Sequence, residues 1–332
     1  MDLRGKRILV VGGAGLIGSH IVDELVKTDV GEIVVFDNFS RGTMDNLAGA
    51  LKDPRVTIFP QGGDVLHEDI LDRAMAGIDG VFHLAALWLL HCHEYPASAF
   101  EVNVRGTFAV IQACIRHKVK RVVYSSSASV YGNAVAIPMT EDHPYNNFTF
   151  YGATKIAGEH MFKSLGSQHG LSWVGLRYMN VYGPRQDYKG AYIAVMMKIL
   201  DNLDLGKQPV VYGDGSQQYD FIYVGDVARA NVCAMTSEAT GHCYNVGRGI
   251  GTSIRELSEL LLHLTGSELP LRYEPAGQTF VTNRIGCPEA AARDLGFRWT
   301  VDLEEGMRRL IDWRKNDQEA VNRKRRAASL PV

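Results

Sequence analysis

From residue 7 to about residue 180, short apolar runs alternate with longer segments whose apolar residues return every three or four positions. The runs fall at 7–11, 32–36, 55–59, 80–83, 121–126 and 172–177 and have the length of strands. Helices are predicted between them at about 15–27, 96–117 and 150–168. A strand that is apolar on both faces and feeds a helix belongs in a parallel sheet buried on both sides. Right-handed crossovers then wind the helices onto both faces of that sheet.

Past Asn180 the rhythm breaks. Gly and Pro punctuate Tyr182-Gly183-Pro184 and Tyr212-Gly213-Asp214-Gly215, and strands become sparse. Residues 219–224 and 242–246 read as returns to the sheet, while 253–265 and 303–313 read as helices of a smaller, separate layer. The expected organisation is a nucleotide-binding domain over 1–179 plus roughly 220–250. A smaller mixed α/β domain, roughly 180–219 and 251–318, binds substrate against it, and 319–332 is a basic tail.

Composition narrows the function classes. With 332 residues, 46% apolar and 22% charged, the chain is globular and large enough for a substantial core. A formal net charge of -2 gives no reason to expect nucleic acid or a membrane surface as partner. The one basic cluster, Arg323-Lys324-Arg325-Arg326, reads as a frayed, solvated end. Five scattered cysteines without CxxC spacing fit reduced thiols rather than disulfides or a zinc site. No run reaches the roughly 20 apolar residues that span a bilayer, so a soluble, cytoplasmic protein is expected. His91-Cys92-His93 lacks converging ligands, and no metal is expected there.

Candidate chemistry begins at the first strand-to-helix junction. Gly12, Gly15 and Gly18 have GxxGxxG spacing, which lets a phosphate approach backbone N–H groups at a helix N-terminus. Asp37 closes the second strand, where a carboxylate accepts hydrogen bonds from both adenosine ribose hydroxyls. It would repel a 2′-phosphate and so favours NAD over NADP, with nearby Arg41 as the feature that would favour NADP.

A second constellation opens the helix after the fifth strand. Tyr151 and Lys155 are four apart and share a helix face. A tyrosine, with a reference pKa of about 10, is a poor base at neutral pH. A neighbouring ammonium and a positive nicotinamide ring would both favour its phenolate. Ser125-Ser126-Ser127 ends the preceding strand, at the carboxyl edge where doubly wound folds place their sites.

These motifs recur in a set order with His83-Leu84-Ala85-Ala86, Asn103-Val104-Arg105-Gly106-Thr107, Tyr212-Gly213-Asp214-Gly215, Asp220 to Val224 and Tyr244-Asn245-Val246-Gly247. Over about residues 5–315 the chain resembles the extended short-chain dehydrogenase/reductase family, in particular nucleotide-sugar epimerases of the UDP-glucose 4-epimerase kind. The resemblance implies a Rossmann-type fold and Ser127, Tyr151 and Lys155 as the catalytic set. For NAD it implies Gly12, Gly15, Leu16, Ile17, Gly18, Asp37, Asn38, Asp64, Val65, Leu84, Ala85, Ala86, Asn103, Ser125 and Tyr178, together with Tyr151 and Lys155. Ser127, Asn180, Tyr212, Tyr219 and Arg284 would meet the sugar nucleotide, expected to be UDP-linked. It further implies a homodimer built on helices 96–117 and 150–168, and a role in surface-polysaccharide synthesis.

The family mechanism is internal redox, with oxidation at sugar C4, a 4-keto intermediate that turns over, and reduction from the other face. Dehydratases of the same fold carry an acidic pair after the catalytic hydroxyl, and here Ala128 and Ser129 stand there. That favours epimerisation over dehydration, with decarboxylase, reductase and a non-catalytic NAD-binding regulator as further alternatives. Two departures bear on substrate. Tyr219 and the stretch near Gly277 stand where the family usually places arginines on the diphosphate. Arg284 falls where epimerases wall the sugar, so it would either meet the carboxylate of a uronate or replace a lost diphosphate contact.

Overall fold

The computed structural model describes residues 1–187, 194–276 and 283–327. Seven parallel strands form one sheet in the spatial order His242–Val246, Trp173–Tyr178, Arg121–Ser127, Gly80–His83, Arg7–Val11, Glu32–Phe36, Val56–Ile58. Side-chain alternation divides the apolar residues between the two faces. Ile8, Val10, Ile33, Val35, Val123 and Val174 pack under the helices Leu16–Val26 and Val224–Thr236. Leu9, Val11, Val34, Val81 and Val122 pack under Gly106–Arg116 and Phe150–His169. Each such side chain contributes about 1.5–3 kcal/mol when fully buried. The strand order reverses between Arg7–Val11 and Gly80–His83, and a crevice opens there at the carboxyl ends.

A third core lies in the second half of the chain. Met196, Met197, Ile199 and Leu200 of the helix Val195–Asp204 pack with Leu257 and Leu261 of Ile254–Thr265. Met307, Leu310 and Ile311 of Leu303–Asn316 complete the cluster. Short strands edge this lobe, with Val210–Tyr212 paired to Arg272–Glu274. Gln218–Tyr219 lies between Thr252–Ser253 and Asn283–Arg284.

Three expectations are corrected. Residues 219–224 do not return to the large sheet, because the strand breaks at fully buried Asp220. Its carboxylate accepts from the N–H groups of Arg248 (2.8 Å), Gly249 (2.9 Å) and Gly286 (3.4 Å). Phe221–Tyr223 pairs instead with Asn180–Tyr182. The helix foreseen at 96–117 is three pieces, Pro96–Ala99, a π-helical turn at Phe100–Arg105, and Gly106–Arg116. The wider turn carries Asn103 inward, as π-turns often do at functional sites. The basic C-terminal stretch is not frayed but forms the helix Gln318–Ala327, with Val321 in the third core and Lys324 buried. All five cysteines are unpaired, and no helix among the described residues is long and apolar enough to cross a membrane.

Candidate active site

The glycine loop is shaped by what a side chain would strike. Gly12 sits at φ 84°, and a Cβ there would stand 2.7 Å from the N of Ala85. A Cβ on Gly18 would overlap the carbonyl of Gly12. Gly15 is open by contrast, its nearest neighbour being that same carbonyl at 3.4 Å. The helix Leu16–Val26 starts without a side-chain cap. The first-turn N–H groups at Leu16, Ile17 and Gly18 therefore face the loop as an anion site.

Asp37 holds this loop while leaving part of its carboxylate for a ligand. One oxygen accepts from Ala14 N and the other from Phe39 N, both at 2.8 Å, and burial raises its pKa. Asn38 donates to Asp64 at 3.3 Å, and Val65 is buried beneath Gly106. Leu84 and Ala85 donate to Val11 O at 2.8 and 3.1 Å, running the 84–86 segment against Gly12. Asn103 accepts from Leu87 N (2.7 Å) and donates to Leu87 O (3.0 Å) and Thr154 Oγ1 (3.1 Å). It thus clamps the loop after Ala86 to the Tyr151 helix. Arg41 lies 3.8 Å over the Trp88 ring and donates to Asp187 at 2.6 Å, an arrangement that commits the residue offered above as a 2′-phosphate partner. These features fit a dinucleotide with an unphosphorylated adenosine ribose.

Thr149 caps the helix Phe150–His169 by accepting from Gly152 N at 3.1 Å, so Tyr151 and Lys155 leave its first turns together. Lys155 is buried, and Nζ donates to Ser125 O at 2.8 Å. One turn on, Glu159 accepts from Ser126 Oγ (2.5 Å), Arg177 Nε (2.9 Å) and Tyr145 Oη (2.8 Å). Burial opposes its charge, yet Arg177 outweighs that and holds the Glu159 carboxyl below its ordinary value. This buried group locks the catalytic helix to two strands. Ser127 accepts from Ser129 N at 3.1 Å and lies near enough to Tyr151 to favour its phenolate.

The electrostatics of the protein without its dinucleotide do not favour a phenolate. Burial, followed by Cys92, pushes Tyr151 up to about 12, and the nearby Ser127, Arg284 and Arg41 only partly offset this. Burial also drives Lys155 down to about 8. Its Nζ lies 5.6 Å from the Tyr151 ring centroid and is spent on Ser125 O rather than on the phenol. Two ionisable groups in one desolvated pocket each penalise charge. The protein alone therefore keeps the proton on Tyr151.

The remaining predicted residues divide. Ser125 Oγ and Tyr178 Oη are 2.9 Å apart, and Tyr178 also donates to Asn231, so both hydroxyls serve the strand ends. Asn180 Nδ2 is buried without a hydrogen-bond partner. Arg284 reaches the Tyr151 site electrostatically, and its carbonyl accepts from Asp220 N at 3.0 Å. The Tyr219 ring lies tilted against Phe221 at 6.0 Å between centroids, while Tyr212 is 53% exposed at the end of its strand. Position 277 lies outside the described residues. His91 packs against Trp88 and Tyr95, Cys92 points inward, and no metal-binding group occurs among the described residues. Glu159 and Thr154 escaped the sequence reading, although Glu159 follows Lys155 by four on the same helix face.

Fold and site define a dinucleotide-dependent enzyme of the doubly wound class. The NAD dependent epimerase/dehydratase family model matches residues 8–247. A putative UDP-glucose 4-epimerase of Methanocaldococcus jannaschii is 33% identical over 313 residues, covering 93% of this chain and 99% of its own. A dTDP-glucose 4,6-dehydratase of Actinoplanes sp. is 31% identical over 323 residues, 92% of this chain and 97% of its own. Among solved structures, UDP-N-acetylglucosamine 4-epimerase from Methanobrevibacter ruminantium, in complex with UDP-N-acetylmuramic acid, has a TM-score of 0.89. It is 32% identical and covers 94% of this chain and 99% of its own. The chain belongs to the NAD dependent epimerase/dehydratase family, and its cofactor is NAD.

Proposed function

We propose that the chain epimerises a UDP-linked sugar at C4 through a transient 4-keto sugar. The observation that carries this is Ser127 at its strand end beside Tyr151, followed by Ala128 and Ser129 where elimination of water would require an acid and a base. Bound NAD supplies the electron acceptor and donor. Gly12, Gly15 and the first-turn N–H groups at Leu16, Ile17 and Gly18 hold its phosphates, and Asp37 holds the adenosine ribose. Tyr151 takes the proton of the C4 hydroxyl and later returns it, while Ser127 holds that oxygen. Lys155, anchored on Ser125 O, holds the nicotinamide ribose. Asn180 donates its unpartnered amide to the diphosphate, since an unsatisfied buried donor otherwise costs about 1–3 kcal/mol. The sugar nucleotide sits between the sheet domain, 1–179 with 220–250, and the lobe 180–219 with 251–318.

A sugar acid is favoured as substrate by a separate observation. Arg284 and Arg41 both bear on Tyr151, and the relative described above is complexed with a nucleotide-sugar acid. Arg284 would meet the carboxylate in bidentate fashion. Exposed Phe100, Phe108 and Phe150 on the two helical stretches support a homodimer, which sedimentation at working concentration reads directly.

NMR of products from UDP-hexoses, N-acetylhexosamines and uronates tests the function. A C4-inverted product is expected. A 4-keto-6-deoxy product would make the chain a dehydratase, and loss of carbon dioxide a decarboxylase. A preference for neutral sugars that persists in Arg284→Ala eliminates the sugar-acid reading.

A further inference from the structure

The C-terminal helix Gln318–Ala327 is tied to the helix Met44–Leu47, to Arg185 and to the helix Val195–Asp204. Lys324, 6% exposed, is its centre. Nζ donates to Asn46 Oδ1 at 3.0 Å and to Arg185 O at 2.7 Å. Asn46 Nδ2 donates to Ala14 O at 2.8 Å, inside the glycine loop. Ala14 N donates to Asp37 at 2.8 Å. A continuous hydrogen-bonded path therefore runs from the C-terminal helix through the phosphate loop to the ribose carboxylate.

The other branch, through Arg185, returns to the helix after the glycine loop. Arg185 pairs with Asp23 on the helix Leu16–Val26 at 2.7 Å. Two residues on, Asp187 accepts from Arg41. The flanks of the C-terminal helix are also fastened. Arg323 pairs with Asp45 at 2.9 Å, and Arg325 joins Arg314 on Asp201 and Asp204 of the helix Val195–Asp204. Burying an ammonium is unfavourable unless it is well hydrogen-bonded. Among the basic residues of this helix with described surroundings, Lys324 is the one turned inward to the cofactor side.

We infer that Lys324 is a positioning residue for NAD, carried on a C-terminal strap that fixes the glycine loop through Asn46 and holds the 185–187 crossover. The strap slows NAD release, which suits internal redox because one dinucleotide must persist through oxidation and reduction. The inference goes beyond the sugar reading; the positioning role rests on use of NAD, and the benefit of slow release rests on the proposed internal redox.

The test compares full-length protein with Lys324→Met, Lys324→Arg and Arg323→Gln, and with a chain ending at Asp317. NAD affinity and release rate are measured by protein fluorescence, and amide exchange at Ala14 is measured without NAD. Lys324→Met leaves two buried oxygens short of a donor and should weaken NAD about tenfold, chiefly through faster release. Ala14 exchange should accelerate and kcat at saturating NAD should hold. Lys324→Arg should recover most of the loss, Arg323→Gln should match the parent, and truncation should equal or exceed Lys324→Met. If Lys324→Met fails to fold, Lys324→Gln carries the same readouts. NAD affinity and release within twofold of the parent, with only thermal stability lowered, would overturn the inference and leave Lys324 a structural anchor.

Discussion

Two strand ends of one sheet, with Gly80–His83 between them, build their halves of the site by opposite means. After Arg7–Val11 the chain removes side chains, so that backbone N–H groups and a helix N-terminus are left open to an anion. After Arg121–Ser127 it concentrates side chains, with half-buried Ser127 and Tyr151 beside the buried Lys155, Glu159 and Arg177. The first half is geometric and indifferent to protonation. The second is electrostatic, with Tyr151 up at about 12 and Lys155 down at about 8. Binding is thus prepared by the fold alone, whereas the base is prepared only in part.

The comparison breaks most sharply at Tyr151. Tyr151→Phe removes the acid–base group and leaves the glycine loop untouched. Turnover should fall by about 10²–10⁴ with NAD affinity nearly unchanged, as read by product NMR and fluorescence titration. Equal losses in both would mean that the two halves are not separable. The reciprocal change, Gly18→Ala, drives a Cβ into the Gly12 carbonyl. Overpacking of this kind costs about 1–3 kcal/mol, so NAD affinity should drop about 10- to 100-fold while kcat at saturating NAD stays within a few fold. An unchanged affinity would show that the loop can relax without consequence.

The same division explains what the sequence disclosed. Continuous apolar runs located the strands of the sheet within a residue or two because their burial is a property of each run. The four-residue spacing of Tyr151 and Lys155 reported a shared helix face in the same local way. Asp220 defeated the strand at 219–224 because the N–H groups it collects belong to Arg248, Gly249 and Gly286, far along the chain. The basic end looked solvated because its partners Asp45, Asn46, Asp201 and Asp204 are equally remote. The high pKa of the phenol without NAD was illegible for a related reason. Charge spacing is legible along a helix, but desolvation is set by everything packed around it.

The most direct test of the account is the ionisation of Tyr151, followed by phenolate absorbance against pH with Tyr151→Phe as the reference. Without NAD the phenol should titrate near 12. With NAD bound it should titrate well below that, because the bound cation favours the phenolate that the protein alone disfavours. A Tyr151 that stays near 12 in the NAD complex would contradict the claim that protein and cofactor together make this tyrosine the base.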